Sequence, residues 1–530
     1  MSSRARLWLM VLLLLGGFFL RAHRPGALAG FVDEVSHIQR SEIIYTLERN
    51  PADYSHGKLL TYYWLGFFET GRASALETAR LAMALAALLT LAAVAAAGRT
   101  LFGPRAALLA TALYAITPFA VFFERMALAD PLATALAALA AWHSVLLARA
   151  PSRRRALVTA LLANGAVFAK LTTAPVLALP VLAAILFGDV PSPDLRRASL
   201  SIYARALWRY YWPAWRPIAI VFAIGWALFG AASLVSLLGG GHPILLDTYL
   251  ADPSARPEDV LDKLGGLADR VALLLTPWLA LGTVALSGLA LVWRTRATLY
   301  ALAWLALLWG PSALLASSLQ TRYLLAGIPP LAVLVGGGVG ALYGLRAFRR
   351  RPRAARFARG AVALGLGVWA LVFALPFDWR ASADPAALTL PRRDSYDYFW
   401  GSFNGWGARE ALRYLEDHGE RVAGRVPAIG VLQLCSLTTL YTTPELDWSC
   451  HDYYRLGADV TFNPARWGFL RDRLDRAPWV YLMTEFTGPD EAVPLDNPPS
   501  LPGMRWERVF TFARPHGARV VAIWRVSRDD

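Results

Sequence analysis

The sequence predicts an α-helical, polytopic membrane protein of about eleven transmembrane helices, with a small α/β domain at the C-terminal end. Of its 530 residues, 56% are hydrophobic, whereas soluble domains hold about 45–50%. The excess lies in blocks that match the roughly 20 apolar residues of a bilayer-spanning helix. After residue 376 these blocks end. We therefore expect a transmembrane domain over 1–376, with a first extracytoplasmic loop at about 23–75, and an extracytoplasmic soluble domain over 377–530.

Hydropathy places the membrane spans at residues 7–22, 76–97, 106–123, 127–148, 156–169, 171–187, 217–238, 269–292, 298–318, 323–345 and 360–376. The stretch 156–187 is too long for one ordinary helix and contains Lys170, so it is divided there into a hairpin. With this division, every dense arginine cluster falls on one side of the membrane. The positive-inside rule makes that side cytoplasmic, together with the N-terminus.

The positive charges are distributed as expected for a multi-pass protein of the plasma membrane. The formal net charge is +15, and its arginines lie mostly in short loops between apolar blocks, so we do not predict nucleic-acid binding. The glycine-rich run at residues 336–344 lies inside an apolar span and lacks the features of a phosphate-binding loop. It predicts close helix packing instead.

The C-terminal region has the pattern of an α/β domain. Residues 405–419 have an amphipathic helical period, and β-like runs follow at 428–434, 479–483, 506–512 and 518–526. The two cysteines, Cys435 and Cys450, both lie here. A disulfide between them and two buried thiols both remain open from the sequence.

Candidate functional residues begin with the acidic pair Asp33 and Glu34 after the first span. The pair either solvates the loop or deprotonates an acceptor hydroxyl at the membrane surface. The turn between the third and fourth spans holds Glu124, Arg125 and Asp130. This turn is either a locally paired hairpin or a functional site, because charges at membrane depth are costly.

Three cations lie near predicted span ends on the side of Asp33, namely Lys58, Lys170 and Arg322. Each alone is explained by a long side chain that reaches the membrane interface, but together they suit an anionic lipid phosphate. His56 is a candidate metal ligand, although one histidine is weak evidence for a metal site.

With these residues assembled, the chain resembles the GT-C superfamily of integral-membrane glycosyltransferases. It is most similar to the bacterial branch related to protein O-mannosyltransferases and the lipid A aminoarabinose transferase. The matching elements are the DE pair, HGKLLTYYWLGFF, ERMALADPLA, FAKLTTAPVLALP and TRYLLAGIPPLAVL, in the family's order over about the first 345 residues. The prolines usual after the His or Glu of the second element are replaced by Gly57 and Leu59.

The resemblance implies transfer of a sugar from a polyprenyl-phosphate donor to a protein, lipid or glycan acceptor outside the cytoplasm. It implies Asp33 as the base, with Glu34 as the alternative, and Asp130 as a second acidic position next to Arg125. The lipid phosphate would be bound by Lys58, Arg125, Lys170 and Arg322, with help from Tyr323. No cofactor is certain, and a divalent cation is left open.

Two other functions compete with this one. A transporter or flippase of lipid-linked sugars is the alternative, but such proteins usually carry internal repeats and midplane charges, and neither is visible in the sequence. A non-catalytic scaffold that binds partners or glycans is disfavoured by the clustering of acidic and basic candidates on one side.

Overall fold

The computed structural model describes residues 2–55, 57–68, 74–188, 200–239, 260–315, 320–452, 467–486, 501, 503–517 and 519–529. It forms two compact units. The helical unit comprises Met1–Pro25, Arg40–Thr70 and Thr78–Ser382, and the mixed unit comprises Gly26–Gln39, Gly71–Glu77 and Ala383–Asp530.

The described residues up to residue 383 are mainly helical. The α-helices are Ser3–Ala22, Val32–Ile43, Pro51–Tyr54, Leu59–Gly66, Ala75–Phe102, Pro104–Ala115, Pro118–Glu124, Ala129–Arg149, Arg153–Ala169, Leu179–Phe187, Leu200–Leu238, Val260–Leu275, Pro277–Trp293, Thr295–Leu315, Ile328–Gly344, Arg346–Arg350, Pro352–Trp369 and Leu375–Ala383. Leu171–Ala178 and Thr321–Gly327 are 3₁₀ helices, and the π-helical turn Ala370–Ala374 joins the last two α-helices.

Among the described residues, 5 helices are long and apolar enough to cross a membrane, or up to 7 if each of two bent helix pairs counts as one span. The helical membrane architecture is confirmed, and the count of about eleven spans stays a prediction. The domain boundary after residue 376 also stays a prediction. The last apolar helical stretch runs from Pro352 to Ala383, past that boundary.

The predicted break at Lys170 is confirmed. The helix Arg153–Ala169 ends there, Lys170 is extended with φ −160° and ψ 118°, and a 3₁₀ helix follows. The helix that contains the predicted span 217–238 begins earlier than predicted, because Leu200–Leu238 is one helix of 39 residues. Stacking of Trp208 on Trp212, 4.4 Å apart, supports the extra turns.

The glycine run lies in the helix Ile328–Gly344 and provides close packing, as predicted. A β-carbon at Gly338 would lie 2.3 Å from the carbonyl oxygen of Leu286, and one at Gly336 would lie 2.5 Å from that of Ala106. Only glycine, which has no β-carbon, allows the backbones of neighbouring helices to approach this closely.

Replacing Gly338 by alanine is therefore expected to destabilise the helical unit by about 1–3 kcal/mol. Gly360→Ala is the matched control, because a β-carbon there meets nothing within 4 Å. Thermal unfolding of the purified variants in detergent measures both effects. Equal melting temperatures for the two variants would contradict the packing role of Gly338.

The mixed unit is built on a five-stranded sheet. Its strands are β1 (Val426–Leu432), β2 (Leu446–Asp452), β3 (Trp479–Phe486), β4 (Met504–Ala513) and β5 (Val520–Arg528), in the order β2-β1-β3-β5-β4. β1 is parallel to β2 and β3, whereas β5 is antiparallel to β3 and β4. The four predicted strands are confirmed. β2 was missed because LDWSCHD lacks a run of apolar residues.

Helices cover both faces of this sheet. The predicted amphipathic helix is Ala408–His418, and it packs Leu412 and Leu415 against one face. The helix Gly468–Leu474 packs Leu470 and Leu474 against the other face. The expected α/β domain is therefore present, as a three-layer arrangement.

Cys435 and Cys450 form a disulfide, with their Cα atoms 5.6 Å apart, which decides between the two alternatives left by the sequence. Cys450 lies on β2. Cys435 opens the 3₁₀ helix Cys435–Leu440, so the bond fastens this turn to the edge of the sheet.

Replacing both cysteines by serine is expected to lower the free energy of unfolding of the mixed unit by about 3 kcal/mol, because the bond closes a loop with a sequence separation of 15. Denaturant unfolding followed by the fluorescence of the tryptophans in the mixed unit measures the change. The same loss should appear when the native protein is reduced, and unchanged unfolding in both experiments would contradict it.

Candidate functional site

Asp130 and Lys170 form a buried ion pair in the helical unit. The Lys170 Nζ donates to Asp130 Oδ1 at 2.5 Å, and the two side chains are 5% and 8% exposed. Asp130 lies in the first turn of the helix Ala129–Arg149, and Lys170 caps the end of Arg153–Ala169. The short link between these helices makes them antiparallel neighbours, so both residues lie at the same end. The helix dipoles favour an anion at a helix start and a cation at a helix end.

Tyr323 and Arg322 join this pair. Lys170 Nζ lies 4.1 Å from the centroid of the Tyr323 ring, and the Arg322 guanidinium carbon lies 5.6 Å from it. Both residues belong to the 3₁₀ helix Thr321–Gly327. Four residues proposed from the sequence are therefore neighbours.

A small pocket opens at this cluster. Its lining comprises Asp130, Ala133, Thr134, Lys170, Thr172, Thr173, Leu308, Tyr323 and Ala326. The Thr134 hydroxyl lies one helical turn after Asp130 and is buried without a hydrogen-bond partner among the residues that the structure describes. A buried hydroxyl without a partner is costly, so Thr134 is a candidate contact for a ligand of this pocket. The sequence analysis missed Thr134, although its i+4 spacing from Asp130 placed it on the same helix face.

The residues on either side of Lys58 are hydrogen-bonded to this region. The Leu171 N–H donates to the Gly57 carbonyl at 3.0 Å, and the Thr61 hydroxyl donates to the Ala169 carbonyl at 2.9 Å. The segment after Gly57 thus packs on the helix break that presents Lys170. Gly57 has φ +68°, a conformation that favours glycine.

Asp33 and Glu34 occupy the first turn of the helix Val32–Ile43 in the mixed unit. Glu34 is fully buried, and its Oε2 accepts the Phe31 N–H at 2.9 Å. Asp33 is partly exposed. Glu34 therefore serves as a helix cap, and Asp33 is the carboxylate of the pair that solvent reaches.

Arg125 has a different neighbour from the one expected. Its guanidinium donates to the carbonyls of Leu20, His23 and Arg24, at 2.5, 2.8 and 3.2 Å. Asp130 is paired with Lys170. Three of the guanidinium donors hold the chain after the first helix, and a role of Arg125 at the lipid phosphate stays a prediction.

Glu124 belongs to a second buried network that the sequence analysis missed. Its carboxylate accepts from Arg21 Nε at 2.6 Å and from the Tyr114 hydroxyl at 2.6 Å. Both side chains of the Arg21–Glu124 pair are 0% exposed. The position of Arg21 at the end of the first apolar segment was the available signal, because a charge there requires a partner.

The structure describes no group of three or more His, Cys, Asp or Glu side chains, within the ranges given above, that could hold a metal ion. His56, the weak candidate ligand, lies outside the described residues.

The chain is similar to known proteins in part of its sequence and in its fold. A family model described as dolichyl-phosphate-mannose-protein mannosyltransferase matches residues 60–208, a range that contains Asp130 and Lys170. No curated protein matches the chain.

The fold is similar to that of ArnT from Cupriavidus metallidurans. The apo crystal structure has a TM-score of 0.57 at 17% identity, covering 99% of this chain and 98% of that chain. The crystal structure bound to undecaprenyl phosphate has a TM-score of 0.54 at 17% identity, covering 98% of each chain. At this identity the likeness shows the fold alone.

Proposed function

We propose that the chain is an integral-membrane glycosyltransferase of the GT-C superfamily, to which its sequence and fold are similar. It transfers a sugar from a polyprenyl-phosphate-linked donor to a protein, lipid or glycan acceptor. The observation that carries this proposal is the buried Asp130–Lys170 pair, which lines a pocket with Tyr323 and the unpartnered hydroxyl of Thr134. That ArnT has been crystallised with undecaprenyl phosphate supports the choice of donor class.

In this reaction the acceptor oxygen attacks the anomeric carbon of the donor, and the bond between that carbon and the phosphate oxygen breaks. The polyprenyl phosphate leaves with its electron pair. Lys170 and Arg322 supply fixed positive charge for the leaving phosphate, which is the electrostatic contribution that lowers such barriers most. Asp130 orients Lys170, and Tyr323 packs on both cations.

We propose that Asp33 is the general base that accepts the proton of the acceptor hydroxyl. A general base must be open to the acceptor, and Asp33 is partly exposed whereas Glu34 is buried and caps its helix. Lys58 is the further proposed phosphate ligand, since its segment is bonded to the break at Lys170.

We place the mixed unit outside the cytoplasm and the N-terminus inside. The Cys435–Cys450 disulfide supports this orientation, because disulfides persist in oxidising compartments. The arginine-rich links support it as well, because they favour the cytoplasmic side.

Mass spectrometry of envelope glycans, glycoproteins and lipids from cells with and without the protein tests the proposal. We expect one sugar modification to disappear in its absence and to return with the wild-type gene, but not with Asp33→Asn. Identical envelopes with and without the protein would contradict the proposal. A sugar-transfer assay in cell extracts, with and without EDTA, decides whether the reaction needs a divalent cation.

A further inference from the structure

The segment that leads into Asp33 is held by the C-terminal part of the chain, although about 370 positions separate them. The Val32 N–H donates to the Phe403 carbonyl at 2.8 Å, and the Gly405 N–H donates to the Gly30 carbonyl at 2.8 Å. All these residues belong to the mixed unit. Residues 30–32 are thus paired like a short strand immediately before the helix that carries Asp33.

Tyr441 makes a short hydrogen bond to this segment. The Gly30 N–H donates to the Tyr441 hydroxyl oxygen at 2.6 Å. A β-carbon at residue 30 would lie 3.0 Å from that oxygen and 2.6 Å from Leu440 Cδ1, so a larger residue here would force these side chains to shift. Leu440 and Tyr441 therefore pack closely against Gly30.

Tyr441 is itself fixed from two directions. It follows the 3₁₀ helix Cys435–Leu440, whose first residue forms the disulfide with Cys450 on β2. Its backbone N–H donates to the Thr438 carbonyl at 2.9 Å. The neighbouring Thr439 hydroxyl accepts from Gln39 Nε2 at 3.2 Å, so this one turn contacts the Asp33 helix both before its start and near its end.

We infer that Tyr441 is a positioning residue for Asp33, and that the disulfide-anchored turn Cys435–Tyr441 sets the place from which this carboxylate accepts its proton. The inference rests on the proposed function for its catalytic consequence. General-base catalysis depends on a separation near hydrogen-bond length, and misplacement by about 1 Å costs about a hundredfold in rate. A fixed turn on one side of Gly30 restricts such movement.

Hydrogen exchange of the full-length protein tests the contact directly. In Tyr441→Phe, which keeps the ring and removes the hydroxyl, we expect the amides of residues 30–32 to exchange at least about tenfold faster than in the wild type. Tyr414→Phe is the matched control, because Tyr414 stacks on Phe510, 4.8 Å away, in the same unit and should leave these amides unchanged. The Cys435→Ser/Cys450→Ser variant should accelerate exchange at the same amides.

The same variants in the transfer assay test the positioning role. Tyr441→Phe is expected to lower kcat about tenfold with the KM for the donor unchanged, since the donor pocket is untouched. Unchanged exchange at residues 30–32 would overturn the contact. Faster exchange with wild-type kcat would overturn the positioning role, and an inactive wild type would overturn the proposed function while the exchange result stands.

Discussion

Replacing Asp33 by asparagine is expected to reduce sugar transfer by about 10²–10⁴-fold, which is the usual contribution of a general base. The amide keeps the size of the side chain but takes no proton at neutral pH. Asp33 is not among the described residues that line the pocket at Lys170, where we propose that the donor binds. Binding of the polyprenyl-phosphate donor should therefore stay within about twofold of the wild type. Initial rates of the purified protein at saturating donor measure the effect.

Glu34→Gln is the matched control for this experiment. The glutamine oxygen still accepts the Phe31 N–H that Glu34 Oε2 accepts at 2.9 Å, so the helix start is preserved and activity should remain. Full activity of Asp33→Asn, or loss of activity in Glu34→Gln with a normal melting temperature, would refute the choice of Asp33 as the base.

Replacing Lys170 by alanine is expected to weaken donor binding and to lower the transfer rate by about 10²–10³-fold, the usual loss when one fixed stabilising group is removed. It also leaves the Asp130 carboxylate buried without its 2.5 Å partner. An unpaired buried charge costs about 3–5 kcal/mol of stability, so the melting temperature should fall as well.

The double variant Asp130→Asn/Lys170→Ala separates these two effects. It removes both charges, so stability should recover while donor binding stays weak. Asn164→Ala is the control for general damage to the helix Arg153–Ala169. Asn164 donates to the Ala160 carbonyl of the same helix at 3.0 Å, so the variant removes a polar contact of that helix and leaves Lys170 in place. Donor affinity of Lys170→Ala equal to that of the wild type would make Lys170 a structural residue of the hairpin only.

Much of this site follows from local sequence. The closeness of Asp130 and Lys170 follows from two apolar helices joined by a short link, because that link forces antiparallel neighbours. The dense packing at Gly338 follows from small residues in an apolar span. Four of the five strands follow from short apolar runs in a region that lacks membrane spans.

The features that sequence reasoning missed depend on contacts between distant positions. The Arg21–Glu124 pair joins residues 103 positions apart, and the Gly30–Tyr441 bond joins residues 411 positions apart. No periodicity encodes such pairings. The same limit explains why Arg125 was expected next to Asp130, five positions away, whereas the fold directs it to three carbonyls after the first helix.

The most direct test of the central claim is donor cleavage by the purified full-length protein. A polyprenyl-phosphate donor labelled in its sugar is incubated with an extract of envelope proteins, lipids and glycans, and both products are measured. We predict one equivalent of free polyprenyl phosphate for each labelled sugar attached to an acceptor, with neither product from Asp33→Asn. Movement of intact donor across a proteoliposome membrane, with no cleavage of the sugar–phosphate bond, would contradict the account and establish a flippase.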